Sequence, residues 1–159
     1  MPNYARLGSL LLLLTLFVGC ATLARAPKYS ESKVSEPKPG YAVLYIFRED
    51  AAPTAFGATI YIDDREVGTL NQGCFTWIYA KPGSRRMMAV WSVLAGQVDA
   101  YLKLDIAESK TYYVEVSGEI SLARDRGIPW SGLNEVNPEA AEVRLVKCCK
   151  FQKPVELTY

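Results

Sequence analysis

The side chains in this sequence that could do chemistry are few, and one absence narrows them further. There is no histidine, which removes the commonest general base, the usual serine and cysteine triads and most catalytic zinc sites together. No G-x-S-x-G, Walker A or dinucleotide-binding glycine pattern occurs. Ser30-Glu31-Ser32-Lys33 fits the S-x-x-K spacing in which a lysine activates a serine for acyl transfer, but the S-D-N and K-T-G partners of that motif are missing, and it reads as a chance match. Asp63, Asp64 and Glu66 cluster closely enough to offer oxygen to a hard cation. They supply too few ligands for a full calcium loop, so they read as a solvated turn, and no metal or cofactor is expected. Trp130, Tyr101 and Tyr113 are the remaining candidates, as a binding surface: exposed rings stack on sugars or lipids, whereas a ring such as Trp130 can equally cap a core.

A more specific signal opens the chain. Arg6 precedes an almost wholly apolar run over residues 7–18, which closes as Phe17-Val18-Gly19-Cys20. This resembles a bacterial lipoprotein signal peptide, in which a small residue precedes the cysteine that is lipidated and becomes the mature N-terminus. Phe17 stands where such peptides usually carry leucine. The rival reading is an uncleaved anchor, but a generous count from Leu7 to Ala24 gives only 18 residues, the lower edge of a spanning helix. If Cys20 carries the lipid, loss of Arg6 leaves a formally neutral mature chain, since the whole sequence has 18 basic and 17 acidic residues. Several acyl chains anchor a protein stably where one does not. Ala21, in place of Asp, matches the sorting rule of Gram-negative lipoproteins bound for the outer membrane, which implies the periplasmic face of that membrane.

The compartment bears on the other cysteines. Cys74, Cys148 and Cys149 remain once Cys20 is lipidated, and in an oxidising space three thiols suggest one disulfide and one left over. A bridge from Cys74 to Cys148 or Cys149 would close a loop of about 74 residues and contribute ~4 kcal/mol in the chain-entropy model. The alternative is that these are buried small hydrophobes. The adjacent pair lacks the C-x-x-C spacing of a redox enzyme.

These groups need a scaffold, and the periodicity describes one. Half of the 159 residues are hydrophobic, enough for a single core. The charge balance lacks the concentrated basic face that nucleic acid requires. Residues 21–40 are rich in proline, serine and lysine, too polar to fold, and read as a flexible tether with a span of roughly 25 Å. Residues 41–47 (YAVLYIF) are apolar on both faces, as a central strand covered on each side would be. Residues 58–86 read as three strands folded back on each other: Ala58, Ile60 and Ile62 alternate with Thr59 and Tyr61, a turn follows at Asp63-Asp64-Arg65, a second at residues 71–73, and Phe75, Trp77 and Tyr79 then share one face of the third strand. Residues 86–94, 98–106 and 111–117 continue the strand rhythm. Residues 124–134, with Pro129, Trp130 and Gly132, read as a loop. Asn137-Pro138-Glu139 predicts a helix start over 138–149, while Val143, Leu145 and Val146 would favour a strand.

The order YAVLYIFR, IYIDDREVGTL, GCFTW with a later PG, and LDIAESKTYYVEV resembles a family of short bacterial lipoproteins catalogued only as a domain of unknown function, over about residues 41–149. Its hairpin motif usually has Gly where Asp64 stands here. The resemblance implies a strand-rich periplasmic domain and carries no reaction, cofactor or catalytic residue. The sequence therefore predicts a mainly β protein: a signal peptide at 1–19, a lipidated Cys20 and tether at 20–40, and a small antiparallel β-sandwich with one C-terminal helix at 41–159. The expected role is a non-catalytic binding or envelope-interaction module, held to the membrane by its N-terminal lipid and meeting another envelope protein. The alternative is a binder of a small glycan or lipid, or a weak enzyme, using the aromatic loop around Trp130.

Overall fold

β1 (Ala42–Arg48) is buried along its whole length, which an apolar run with no polar face demands. The computed structural model describes residues 25–34, 36–53, 55–119 and 130–159; the expected signal peptide and Cys20 lie outside the described residues. β1 sits third in a five-stranded sheet and is flanked by β7 (Thr111–Glu119) and β4 (Cys74–Ala80), with β8 (Trp130–Glu135) and the short β9 (Lys150–Phe151) at the edges. A four-stranded sheet, in the order β3 (Arg65–Leu70), β2 (Ala58–Ile62), β5 (Gly83–Trp91), β6 (Ala100–Ile106), packs against it. Leu44, Ile46 and Ile78 of the first sheet meet Ile60, Met87 and Leu104 of the second in one core. Burying each such side chain stabilises by ~1.5–3 kcal/mol. The protein is thus a mainly β sandwich with one C-terminal helix of more than a single turn among the described residues.

The strands have two common ends. Asp63 and Asp64, both at positive φ (47° and 66°), make the two-residue turn between β2 and β3, whose twist suits a hairpin. That turn, the start of β1 and the start of β5 lie together at what we call the Asp63 end. Arg48, the turn between β5 and β6 and the first residue of β8 lie at the other, the Val93 end.

Two sequence expectations are corrected here. β4 does not fold back on β3; at residues 71–73 the chain crosses to the other sheet, where β4 pairs antiparallel with β1. β4 offers two apolar faces, and only a position between both sheets and an outer layer buries them. The sheets are antiparallel-rich, as expected, with parallel pairs where β1 meets β7 and β4 meets β9. Trp130 to Glu135 is an edge strand where a loop was expected. Ser131 and Leu133 alternate inward there, a pattern too short to stand out beside Pro129 and Gly132.

An outer layer covers the far face of the five-stranded sheet. The helix is present over Pro138–Cys148: Asn137 accepts the Glu139 N–H at 2.9 Å, and Pro138 occupies the first turn. Ala141 and Leu145 bury against Val43, Tyr45, Phe47 and Phe75. Arg144 pins the helix to the sheet. Its Nε donates to Glu49 at 2.6 Å, its two terminal nitrogens grip Glu115, and it lies over the Phe47 ring. Labelled α1, a single turn at Tyr29–Ser32 packs beside the longer helix, α2. Tyr29 is buried, Val34 N–H donates to the Tyr45 hydroxyl at 2.7 Å, and the Trp77 indole donates to the Ser32 carbonyl. The half of the expected tether nearest the domain is therefore docked, because Tyr29 finds an aromatic slot that composition alone does not reveal.

Candidate functional site

The polar groups that converge most closely are on this outer face. Tyr45 and Tyr113 stand opposite each other on β1 and β7, and their rings stack at 5.1 Å. Tyr29 meets Tyr45 and Phe75 edge-on at 5.6 and 5.5 Å. The Tyr113 hydroxyl donates to Glu142 of α2 at 3.0 Å. Its single proton is then spent, so at the 3.2 Å contact between the two hydroxyls Tyr29 is the donor. With Lys33, Val34 and Thr111 these residues line a recess of about 390 Å³. Burial raises all three phenols, Tyr45 to about 12. The negative charge of Glu142 adds to the rise at each of them, and the bond that Tyr113 donates to Glu142 pushes that phenol further up. The phenols are therefore neutral donors at physiological pH. They orient groups and do not abstract protons. Sequence reasoning singled out Tyr113 but placed it on an exposed surface; Tyr29 and Glu142 join it only through tertiary contact.

At the Asp63 end the acidic cluster faces guanidiniums. Asp63 accepts from Arg85 at 2.9 Å and from the Arg86 backbone at 3.0 Å, and Asp64 takes Arg86 at both oxygens, each at 2.7 Å. Glu66 uses its carbonyl, which accepts from the Tyr159 hydroxyl. Desolvation would raise the Asp63 carboxyl, but the Arg86 N–H and the Arg85 guanidinium outweigh it and hold the group below the usual carboxylate range. Two shallow recesses of about 380 and 360 Å³ meet at Asp63 and Arg85. Their lining pairs cation with anion and leaves no cluster of carboxylates to share a metal.

The Val93 end differs. Val93 and Leu94 sit on a 3₁₀ turn, Val93–Ala95, whose start is capped by Ser92; they are 96% and 82% exposed. Trp130, half exposed at 52%, folds its ring over Gly132, where an added Cβ would come within 3.1 Å of it. Beneath them lies a residue the sequence reading passed over. Arg48 is fully buried and faces no carboxylate among the described residues; its guanidinium donates to the carbonyls of Ala51, Pro53, Phe56 and Leu70 and lies 4.7 Å from the Trp91 ring. Burial lowers its pKa. The clue was in the period: Ala42, Leu44, Ile46 and Arg48 share the inward face of β1.

The other site residues are not brought together. Tyr101 is exposed on the outer face of the four-stranded sheet, with Lys103 and Asp105, while Tyr113 is buried beneath α2 on the opposite side of the sandwich. The expected Cys74 bridge is corrected too, because Cys148 and Cys149 are bonded to each other and Cys74 is a buried free thiol. Cys74 points into the core between the sheets, whereas Cys149 packs on the outer face, so β4 itself separates the sulfurs. Burial raises the Cys74 thiol above its ordinary pKa. No protein-family model, curated protein or solved structure matches the chain. The likeness to short bacterial lipoproteins rests on its motifs alone.

Proposed function

We propose that the protein is a non-catalytic interaction module, held by a lipid on Cys20 at the periplasmic face of the outer membrane and working through its Val93 end. The observation that carries this is the pair Val93 and Leu94, adjacent, aliphatic and almost wholly in solvent on a capped turn. Such side chains gain nothing for the fold and favour burial against something outside it. Of the acidic and phenolic groups described above, the phenols of Tyr29, Tyr45 and Tyr113 are neutral, and Asp63, Asp64, Glu49 and Glu115 are bound to arginines. The Gly19-Cys20 end of the apolar leader supports the anchor.

The anchor is tested by labelling cells with an alkyne fatty acid, with and without an inhibitor of lipoprotein signal peptidase. The inhibitor should make a slower-migrating precursor accumulate, and Cys20→Ser should abolish label and release the protein from membranes. A Cys20→Ser protein that stays membrane-bound with unchanged mobility would show an uncleaved anchor instead. Turnover of ester, peptide or glycan substrates by the purified protein, abolished by a single carboxylate or serine substitution, would overturn the non-catalytic reading.

A further inference from the structure

We infer that the partner of the Val93 end is the bilayer itself: the domain docks end-on, with Val93, Leu94, Val98 and Trp130 in the interfacial layer of the membrane that holds its lipid. This rests on the lipid-anchor reading and adds an orientation to it.

The four residues stand at one end of the sandwich. The Ser131 hydroxyl donates to the Val98 carbonyl, and Gln97 donates to the Glu119 carbonyl at 3.3 Å. Glu119 is the partner of Trp130 in the ladder between β7 and β8. The turn after β5 is thus tied to the start of β8, and the exposed residues of both stand at one end of the sandwich. Val98 is 52% exposed, so three aliphatic side chains and one indole are presented there. An indole beside aliphatic groups suits the boundary between headgroups and acyl chains.

The path of the N-terminal segment points the same end at the membrane. Phe151 N–H donates to the Pro27 carbonyl at 2.7 Å, and Lys28 bridges Lys150; Lys150 in turn stands beside Cys74, the first residue of β4 and the ladder partner of Arg48. The chain therefore joins the domain at the edge of the Val93 end. Because α1 is docked, the leash runs only from Cys20 to Pro27. Seven residues reach at most ~25 Å when fully extended, about the length of one seven-residue strand. A leash no longer than the domain, attached near one end, keeps that end toward the bilayer. Lys28 is exposed beside the attachment point, where a cation favours an anionic membrane surface. The Asp63 end is farthest from the lipid and carries the paired charges.

The test uses the full lipidated protein, purified from membranes and reconstituted in phosphatidylethanolamine–phosphatidylglycerol vesicles. An environment-sensitive NBD fluorophore is placed at Ser92→Cys, beside the turn, or at Lys103→Cys, on the outer face of the four-stranded sheet. Docking predicts a blue-shifted emission and at least tenfold slower dithionite quenching at position 92 than at 103. Val93→Asp with Leu94→Asp should abolish the difference while leaving the circular dichroism unchanged, since both residues are exposed. Equal quenching at both positions in lipidated, vesicle-bound protein overturns the docking and leaves the anchor standing. Protein that carries no lipid and does not bind vesicles shows that the anchor reading failed first. Protection at 92 that appears only when envelope proteins are added assigns the end to a protein partner and also overturns the inference.

Discussion

The two ends of the sandwich place their charges in opposite ways. At the Asp63 end Arg65, Arg85 and Arg86 lie partly or largely in solvent, and each faces a carboxylate. At the Val93 end Arg48 is fully buried against carbonyls, while Val93 and Leu94 stand in water. The difference teaches what each end is for. Exposed pairs contribute little to stability, so the Asp63 turn folds by its own dihedrals and the arginines only decorate it. Arg48 is a tie for the backbone of residues 49–57, which would otherwise bury carbonyls without partners. With that loop held from inside, the outer surface of the Val93 end is free to be apolar.

The largest expected effect comes from cutting the tie. Arg48→Met fills the space but leaves four carbonyls without their donor, and it should cost ~3 kcal/mol or more. Urea unfolding should show the midpoint falling at constant slope; a midpoint like that of the wild type would mean the loop holds itself. Arg48→Lys should rescue little, since one ammonium cannot span the four acceptors.

An intermediate effect lies between the ends. Tyr113→Phe removes the donor to Glu142 and the acceptor of Tyr29, at a cost of about 1–2 kcal/mol. The same cluster should make the protein alkali-sensitive. A phenol raised on folding, as Tyr45 is to about 12, ionises first in the unfolded chain. Its contribution is complete below the ordinary tyrosine value near 10 and is lost as pH rises from there toward 12. Tyr45→Phe should flatten that limb of the stability curve.

At the Asp63 end the effects should be small. Asp63→Asn should cost under about 1 kcal/mol at neutral pH. Because its folded pKa is depressed, the wild type keeps the contribution above the ordinary value of 3.8 and loses it as pH falls below; the variant should lack that acid slope. Denaturation curves between neutral and acid pH decide it, and parallel curves would remove Asp63 from the account. Val93→Asp with Leu94→Asp should shift stability least, within about 0.5 kcal/mol, as surface changes do. A large loss there would mean the turn is packed and the contrast between the ends is false.

The cysteines give a check that needs no substitution. In the native, unreduced protein no thiol should alkylate at Cys74, Cys148 or Cys149, and unfolding without reductant should expose Cys74 alone. Peptide mass spectrometry reads this directly; a peptide linked through Cys74 would contradict the arrangement.

Much of the local structure was legible because it is local. The alternation Ala58, Ile60, Ile62 marks β2 at its observed bounds, and the step from β4 to the Pro82-Gly83 turn is equally plain. Asn137-Pro138-Glu139 outweighs the β-branched residues after it because a cap and a pre-set φ act at the helix start itself. Asp63 and Asp64 make a tight turn without the glycine such hairpins favour, since aspartate tolerates positive φ. Of the sites, the acidic turn was read correctly as a turn, while its arginine partners were not foreseen.

What only the tertiary structure decided is who neighbours whom. Period two says which face of β4 is apolar on each side, but not that β1 is its partner, that β7 joins β1 in parallel, or that Cys74 and Cys149 lie on opposite faces of one strand. Tyr29 reads as part of a tether until Tyr45, Phe75, Tyr113 and α2 form the slot it fills. Arg48 reads as the first residue of a loop until that loop folds its carbonyls inward around it. The physical reason is the same in each case. A dihedral preference or a hydrophobic period is a property of a few consecutive residues, whereas a ladder, a disulfide or a buried cation's acceptors join atoms that the chain brings together only once the core between the sheets has closed.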